Sequence, residues 1–283
     1  MKSSSQLFPV ELVSADVRND YFQDLYSLKP NNSQDKSVEI ALLHLHLRKD
    51  SSMQKQVLFV HDAFNSHWQW MDNGPAQKLI DDLLSAGVSV WLMDWRGHGS
   101  SRKNKKYTLN TIDEMAQWDL PSVTAFIQEK NKNSLQIVAK GYGAQMALKA
   151  LPQLGGVEQF FFVDAESVVP TRLFWLPGVR LLKWIMLIGK QWVRGDGDEP
   201  EPVSFFRAPL KQGGWISLFN KKTSLNELLE FYQSIAHRIV WICSARKYEV
   251  KARRLTKKQS RVNRVAFNQI LNEIGKLISS QSV

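Results

Sequence analysis

Apolar and polar residues follow two rhythms along this chain, and the changes of rhythm mark its elements. Val38 to Leu47 reads VEIALLHLHL. It ends in strict alternation, with Leu43, Leu45 and Leu47 facing one way and His44 and His46 the other, the period of a half-buried strand. This segment is expected to form an antiparallel edge strand. Gln56–Val60, Val88–Met93, Leu135–Ala139, Val157–Val163 and Ile239–Cys243 are short, almost continuous apolar runs. Such runs suit strands buried on both faces. Helical stretches lie between them. Pro75–Ala86 is stopped by Gly87. A helix through Glu129 starts with Asp119 as N-cap and Pro121 in its first turn. Gln145–Leu151 and an amphipathic Phe267–Ile278 follow. Strands alternating with helices at this spacing predict a mostly parallel sheet with helices on both faces. Residues 1–36 are polar and punctuated by Pro9, Pro30 and an Asn-Asn pair.

The rhythm breaks most sharply at Leu135–Ala144, LQIVAKGYGA. An apolar strand ends in two closely spaced glycines and a helix starts at once. That is the setting of a nucleophile elbow, which carries G-x-S-x-G. Here the aligned residues are Ala139-Lys140-Gly141-Tyr142-Gly143, so the serine position holds Gly141. Glycine adopts strained backbone conformations without a Cβ penalty, so losing the nucleophile would also relax the turn.

From about Gln56 to Ser167 the chain resembles the N-terminal half of an α/β-hydrolase, and is most similar to capped bacterial esterase and lipase-like members. His61-Asp62-Ala63 stands where that family has its His-Gly oxyanion motif. Asp94-Trp95-Arg96-Gly97-His98-Gly99-Ser100 matches its D-x-R-G-x-G-x-S turn, and Ala139–Gly143 takes the place of its elbow. The resemblance implies an α/β-hydrolase fold with an inserted helical cap. Its core would comprise residues 1–167 and 236–283, with the cap at 168–235.

The resemblance also implies a nucleophile, a histidine base, an acid and an oxyanion hole, and each departs from the pattern. Gly141 replaces the serine, flanked by Lys140 and Tyr142. His237 is the last histidine and precedes Ile239–Cys243, the last clear strand. A final strand and its histidine have no recognisable place. Glu249 is the only acid after Cys243 in that region and comes late. Asp164 and Glu166 could stand in as acids, but with no histidine to orient. Asp62 replaces the oxyanion glycine, and a carboxylate there opposes developing negative charge. Cys243, inside an apolar strand, is expected to be an inert core thiol, and His98 to be structural. His44 and His46 offer a two-ligand metal face. With no third ligand nearby they are expected to be solvated, and no metal or cofactor is predicted.

Within 168–235, Gly178–Arg194 projects as a helix. Arg180, Lys183, Lys190 and Arg194 share one face, and Leu181, Leu182, Ile185, Ile188 and Trp192 lie opposite. The expected role is a lid helix with its apolar side on the core. The alternative is a helix lying on an anionic membrane. The acidic loop Asp196–Glu201 is expected to be solvated. The net charge of +10 favours anionic partners. The run through Arg253, Arg254, Lys257 and Lys258 contributes to it, and no nucleic-acid motif accompanies it. A single cysteine and the absence of a signal-peptide pattern suggest a cytoplasmic protein, with a peripheral position at the inner membrane surface as the alternative. The leading functional expectation is a catalytically inactive homologue. It would bind a hydrophobic acyl-type ligand under the cap, or a protein. The alternatives are an ester hydrolase or acyltransferase with relocated groups, and a peripheral binder of anionic surfaces.

Overall fold

The computed structural model describes residues 3–18, 21–30, 32–47, 55–71, 74–166, 177–211, 230–256 and 260–280. Its main strands are β1 (Val10–Arg18), β2 (Tyr21–Leu28), β3 (Ile40–Leu47), β4 (Lys55–Val60), β5 (Val88–Met93), β6 (Ser134–Lys140) and β7 (Val157–Val163). A short pair, β8 (Trp192–Val193) and β9 (Glu201–Pro202), precedes β10 (Ile239–Cys243) and β11 (Arg261–Arg264). Nine strands form one sheet in the order β1-β2-β3-β5-β4-β6-β7-β10-β11. The β1–β2, β2–β3 and β3–β5 pairings are antiparallel, and all pairings from β5 to β11 are parallel.

The helices follow in chain order: α1 (Trp68–Met71), α2 (Pro75–Ser85), α3 (Ile112–Glu114), α4 (Leu120–Lys130), α5 (Gly141–Ala150), α6 (Pro177–Met186), α7 (Val203–Lys211), α8 (Arg246–Thr256) and α9 (Ile270–Ser280). They cover both faces of the sheet. One core joins Trp91, Ile137 and Phe162 to Phe126 of α4, Leu148 of α5 and Leu255 of α8. The other joins Phe59, Val138 and Ile242 to Ile80 and Leu83 of α2 and Ile274 and Ile278 of α9. The apolar runs are apolar throughout because both their faces are covered; every residue of β5 is buried.

Several expectations need correction. β3 is not at the edge, because the β1–β2 hairpin extends the sheet beyond it. β1 is largely exposed, so it needs backbone pairing but no apolar alternation, and its sequence carried no strand signal. β11 supplies the final strand that had no recognisable place. Its sequence, RVNR, is polar and half-exposed because it has only one neighbour. Asp119 does not cap a helix. The helical run begins after Thr111, whose hydroxyl accepts from the Glu114 N–H at 3.2 Å. Asp119 is bound instead to Arg96, with Nε and Nη2 donating to its carboxylate at 2.7 and 2.6 Å. Both side chains are fully buried.

The segment expected to be one helix to Arg194 also differs. α6 stops at Met186, Gly189 turns the chain at φ 74°, and Trp192 lies in β8, stacked on Tyr107 at 5.0 Å. Leu181 and Ile188, each 60% exposed, and Leu182 and Ile185 do not pack on the core. The side chain of Arg180, and Lys257 and Lys258, lie outside the described residues. The acidic loop is not simply solvated. Glu201 is buried and accepts from the Phe64 N–H at 3.2 Å, and Glu199 accepts from the Gly99 N–H at 2.9 Å.

Candidate functional site: a carboxylate over the elbow

β6 runs straight into α5, and Gly141 makes the turn at φ 54°, a left-handed conformation that favours glycine. The elbow geometry is therefore present. Two residues on, a Cβ at Gly143 would collide with the His61 carbonyl, so α5 can start this close to β4 only with glycine there.

What stands over Gly141 is the Asp62 carboxylate. A Cβ at Gly141 would collide with all three carboxylate atoms. Asp62 Oδ1 accepts two backbone hydrogen bonds, from Tyr142 N–H and from Ala63 N–H, each 2.8 Å. These donors are the residue after the elbow position and a residue of the loop after β4. Hydrolases of this fold draw their oxyanion donors from those two places. Asp62 thus fills the pocket with a carboxyl group of the protein itself. Burial raises its pKa, against the two N–H bonds and the nearby Lys140 ammonium, with Glu166 adding to the rise. Tyr142 is pushed up to about 12 by burial and by the Glu166 and Asp62 charges.

The other expected site residues are engaged elsewhere. Asp164, at φ 46°, accepts from the Ser244 N–H and hydroxyl, both at 2.7 Å. Glu166 pairs with Lys251 Nζ at 2.6 Å, and its N–H donates to the Gly141 carbonyl at 3.0 Å. Its backbone reaches the elbow while its carboxylate is taken by a cation. His61 is wholly buried. Its Nδ1–H donates to the Asp62 carbonyl at 2.8 Å, and its Nε2 accepts from the Trp95 N–H at 3.1 Å. Burial and the neighbouring His98 push it down to about 3, so it is a neutral structural ring. His237 precedes β10, at the amino end of the parallel strands and away from the elbow. No histidine follows β11 in the sequence. Cys243 is buried, and burial pushes its thiol up to about 12.

Beside this centre the turn from Asp94 to Ser101 is held by hydrogen bonds centred on Asp94. The Asp94 carboxylate accepts from the His67 N–H at 2.6 Å, from His67 Nδ1 at 2.7 Å and from the Ser100 N–H at 2.8 Å. Burial would raise its pKa, but the His67 bonds and charge outweigh that and lower it. His98 is buried, and its Nε2 lies 3.3 Å from Glu201. Glu201 outweighs burial and raises the His98 pKa. A cavity of about 390 Å³ opens here, lined in part by His98, Lys103, Tyr107, Trp192 and Arg194. Above the elbow, Phe205 and Phe206 of α7 lie against Tyr142, at 5.4 and 6.1 Å between ring centroids.

A parallel sheet with a glycine elbow at the carboxyl ends of its strands defines a hydrolase-type scaffold. The chain belongs to the alpha/beta hydrolase family, whose sequence profile matches residues 57–263. It is 29% identical to mouse lipase member M over 147 residues, 48% of this chain and 34% of that protein. It is 32% identical to human gastric triacylglycerol lipase over 106 residues, 34% of this chain and 27% of that protein. The chain thus spans about a third or less of the length of these curated relatives. Among solved structures, a putative hydrolase from Agrobacterium vitis superposes with a TM-score of 0.60 at 12% identity, covering 91% of this chain and 98% of that one. The Pyrococcus furiosus esterase Pf2001 does so at 0.53 and 16% identity, covering 97% and 93%. At such identities the structural likeness establishes the fold alone.

Proposed function

We propose that this protein is a non-catalytic member of its family, a binding module built on an esterase or lipase-like scaffold. The observation that carries this reading is the Asp62 carboxylate seated on the Tyr142 and Ala63 N–H groups above Gly141. A carboxylate that takes both donors leaves none for an oxyanion, and it repels one electrostatically. Asp62 also makes a poor relocated nucleophile. An ester formed on it would need an activated water, and every histidine ring placed near it is committed to other partners. Under this reading the segment 168–235 is a cap, and the ligand it encloses is of the acyl type. Trp192, Tyr107, Pro200 and Pro202 give the 390 Å³ cavity an apolar wall. The test is an assay of purified protein on short and medium acyl esters. No turnover is expected. Turnover that survives purification and is lost in Asp62→Ala or Lys140→Ala would overturn the reading.

A second reading is favoured by one observation: α6 and the turn after it expose Leu181, Leu182, Ile185, Met186 and Ile188. Lys190 and Arg194 are exposed just beyond. An apolar face bordered by cations suits an anionic bilayer, where each basic residue near the surface contributes about 1 kcal/mol. Among the described residues no helix is long and apolar enough to cross a membrane. Binding to phosphatidylserine vesicles should fall with salt and with Leu181→Ser/Ile185→Ser. Indifference to both would remove this reading.

A further inference from the structure

Far along the sheet from the elbow, outside the residues that match the family, the antiparallel pairing of β2 and β3 assembles three ligand-type side chains. Asp24 lies directly across from His44, and His46 is two residues further on the same face. The alternation that made His44 and His46 a two-ligand face is real, and the missing third ligand sits on the neighbouring strand. One ligand atom from each of the three lies within 4.8 Å of the others, and His46 Nε2 is 3.4 Å from Asp24 Oδ2. A tetrahedral Zn²⁺ with bonds of about 2.0–2.1 Å places its ligand atoms roughly 3.4 Å apart. One edge of that tetrahedron is thus already formed.

We propose that Asp24, His44 and His46 bind a first-row divalent metal ion of the Zn²⁺ type, with a coordination position left open to solvent. Two imidazoles and one carboxylate are the donor set of open zinc and ferrous sites. The surroundings resemble a supporting shell. Ser89 Oγ is 2.6 Å from His44 Nε2, and the Tyr26 hydroxyl donates to Asp24 Oδ2 at 3.3 Å. Such partners fix ring orientation and ligand basicity. The His44 ring is clamped on Trp91, 3.6 Å between centroids and 5° from parallel, and stacks on His46 at 4.5 Å. Packing on Trp91 fixes the His44 ring, so the partly exposed His46 ring must rotate out of the stack for both nitrogens to face one ion. The site is partly open, with His46 and Asp24 side chains 23% and 19% exposed. One group opposes the metal. The Lys130 ammonium, at the end of α4, lies 5.4 Å from the Tyr26 ring centroid and acts on His44 electrostatically.

That opposition gives the test two directions. The full-length protein, stripped with a chelator, is titrated with Zn²⁺ by calorimetry, and with Co²⁺ while its visible absorption is followed. One equivalent of Zn²⁺ is expected to bind and to raise the melting temperature. Affinity should fall at least tenfold in His46→Ala and in Asp24→Asn, and should rise in Lys130→Gln. Circular dichroism of the metal-free variants separates loss of the site from loss of the fold. His46 and Asp24 are partly exposed, so their replacement is expected to leave the sheet intact. Absence of binding would overturn the proposal. So would a binding isotherm that His46→Ala and Asp24→Asn leave unchanged, which would assign the metal to other histidines such as the exposed His237.

Discussion

The Asp94–Ser101 turn and the Asp62–Gly141 centre are neighbours, both at the carboxyl ends of the parallel strands, and both carry family landmarks. They differ in what was kept. In the turn, the charged side chains find partners, although the buried Trp95 indole N–H finds none. Arg96 finds Asp119, and Asp94 gathers three donors from His67 and Ser100. Gly99 stands at φ 48°, where a side chain would collide with the Asp94 carboxylate. In the centre, the elbow backbone is present, and under the proposed reading the reacting groups are replaced. The elbow still turns through a left-handed residue, and the two donors still converge, but they converge on a carboxylate of the protein itself. The scaffold's demands and the reaction's demands are therefore separable. A fold retains groups whose loss would leave buried polar atoms unpaired.

The largest expected effect comes from breaking the turn. Arg96→Leu would leave Asp119 as an uncompensated buried charge and should cost about 3–5 kcal/mol. Urea denaturation measures it. A loss under about 1 kcal/mol would mean that the turn is not the structural element described. Next comes the centre. Gly141→Ser must displace Asp62 and adopt a left-handed backbone, at roughly 1–3 kcal/mol. Asp62→Gly in the same chain removes the collision, so the double variant should be more stable than the sum of the two single effects, by a coupling of about 0.5–3 kcal/mol. Additivity in this cycle would separate the two substitutions and spoil the contrast. Neither variant is expected to hydrolyse esters, because an unassisted serine is a weak nucleophile.

The third effect, read as a slope against pH, concerns His61, which joins the two regions through the Trp95 N–H and the Asp62 carbonyl. Its folded pKa, about 3, lies below the ordinary histidine value. The unfolded chain therefore takes up a proton that the folded one refuses between about pH 6.5 and pH 3. Stability should fall as pH falls through that window, by up to about 1.4 kcal/mol per pH unit from this group. His61→Gln should flatten the acid limb of stability against pH. An unchanged slope would show that the fold does not hold His61 unprotonated.

Much of this was legible in the chain. The continuous apolar runs of β4 to β7 and β10 determine a doubly covered parallel sheet, because only strands buried on both faces need be apolar throughout. The glycine at 141 and the lack of any histidine after His237 were equally plain, since both are facts of composition and order. Elements that rest on backbone pairing with little burial left no such trace, so β1, β2 and β11 emerged only in the structure. Side chains that meet across large sequence separations were hidden for a related reason. Asp119 reads as a helix cap until Arg96 is placed beside it, and Asp24 means nothing until strand register sets it opposite His44. Asp62 looked like an electrostatic obstacle to an oxyanion. Only the tertiary structure placed its carboxylate on the Ala63 and Tyr142 N–H groups, because that depends on where two separate segments converge.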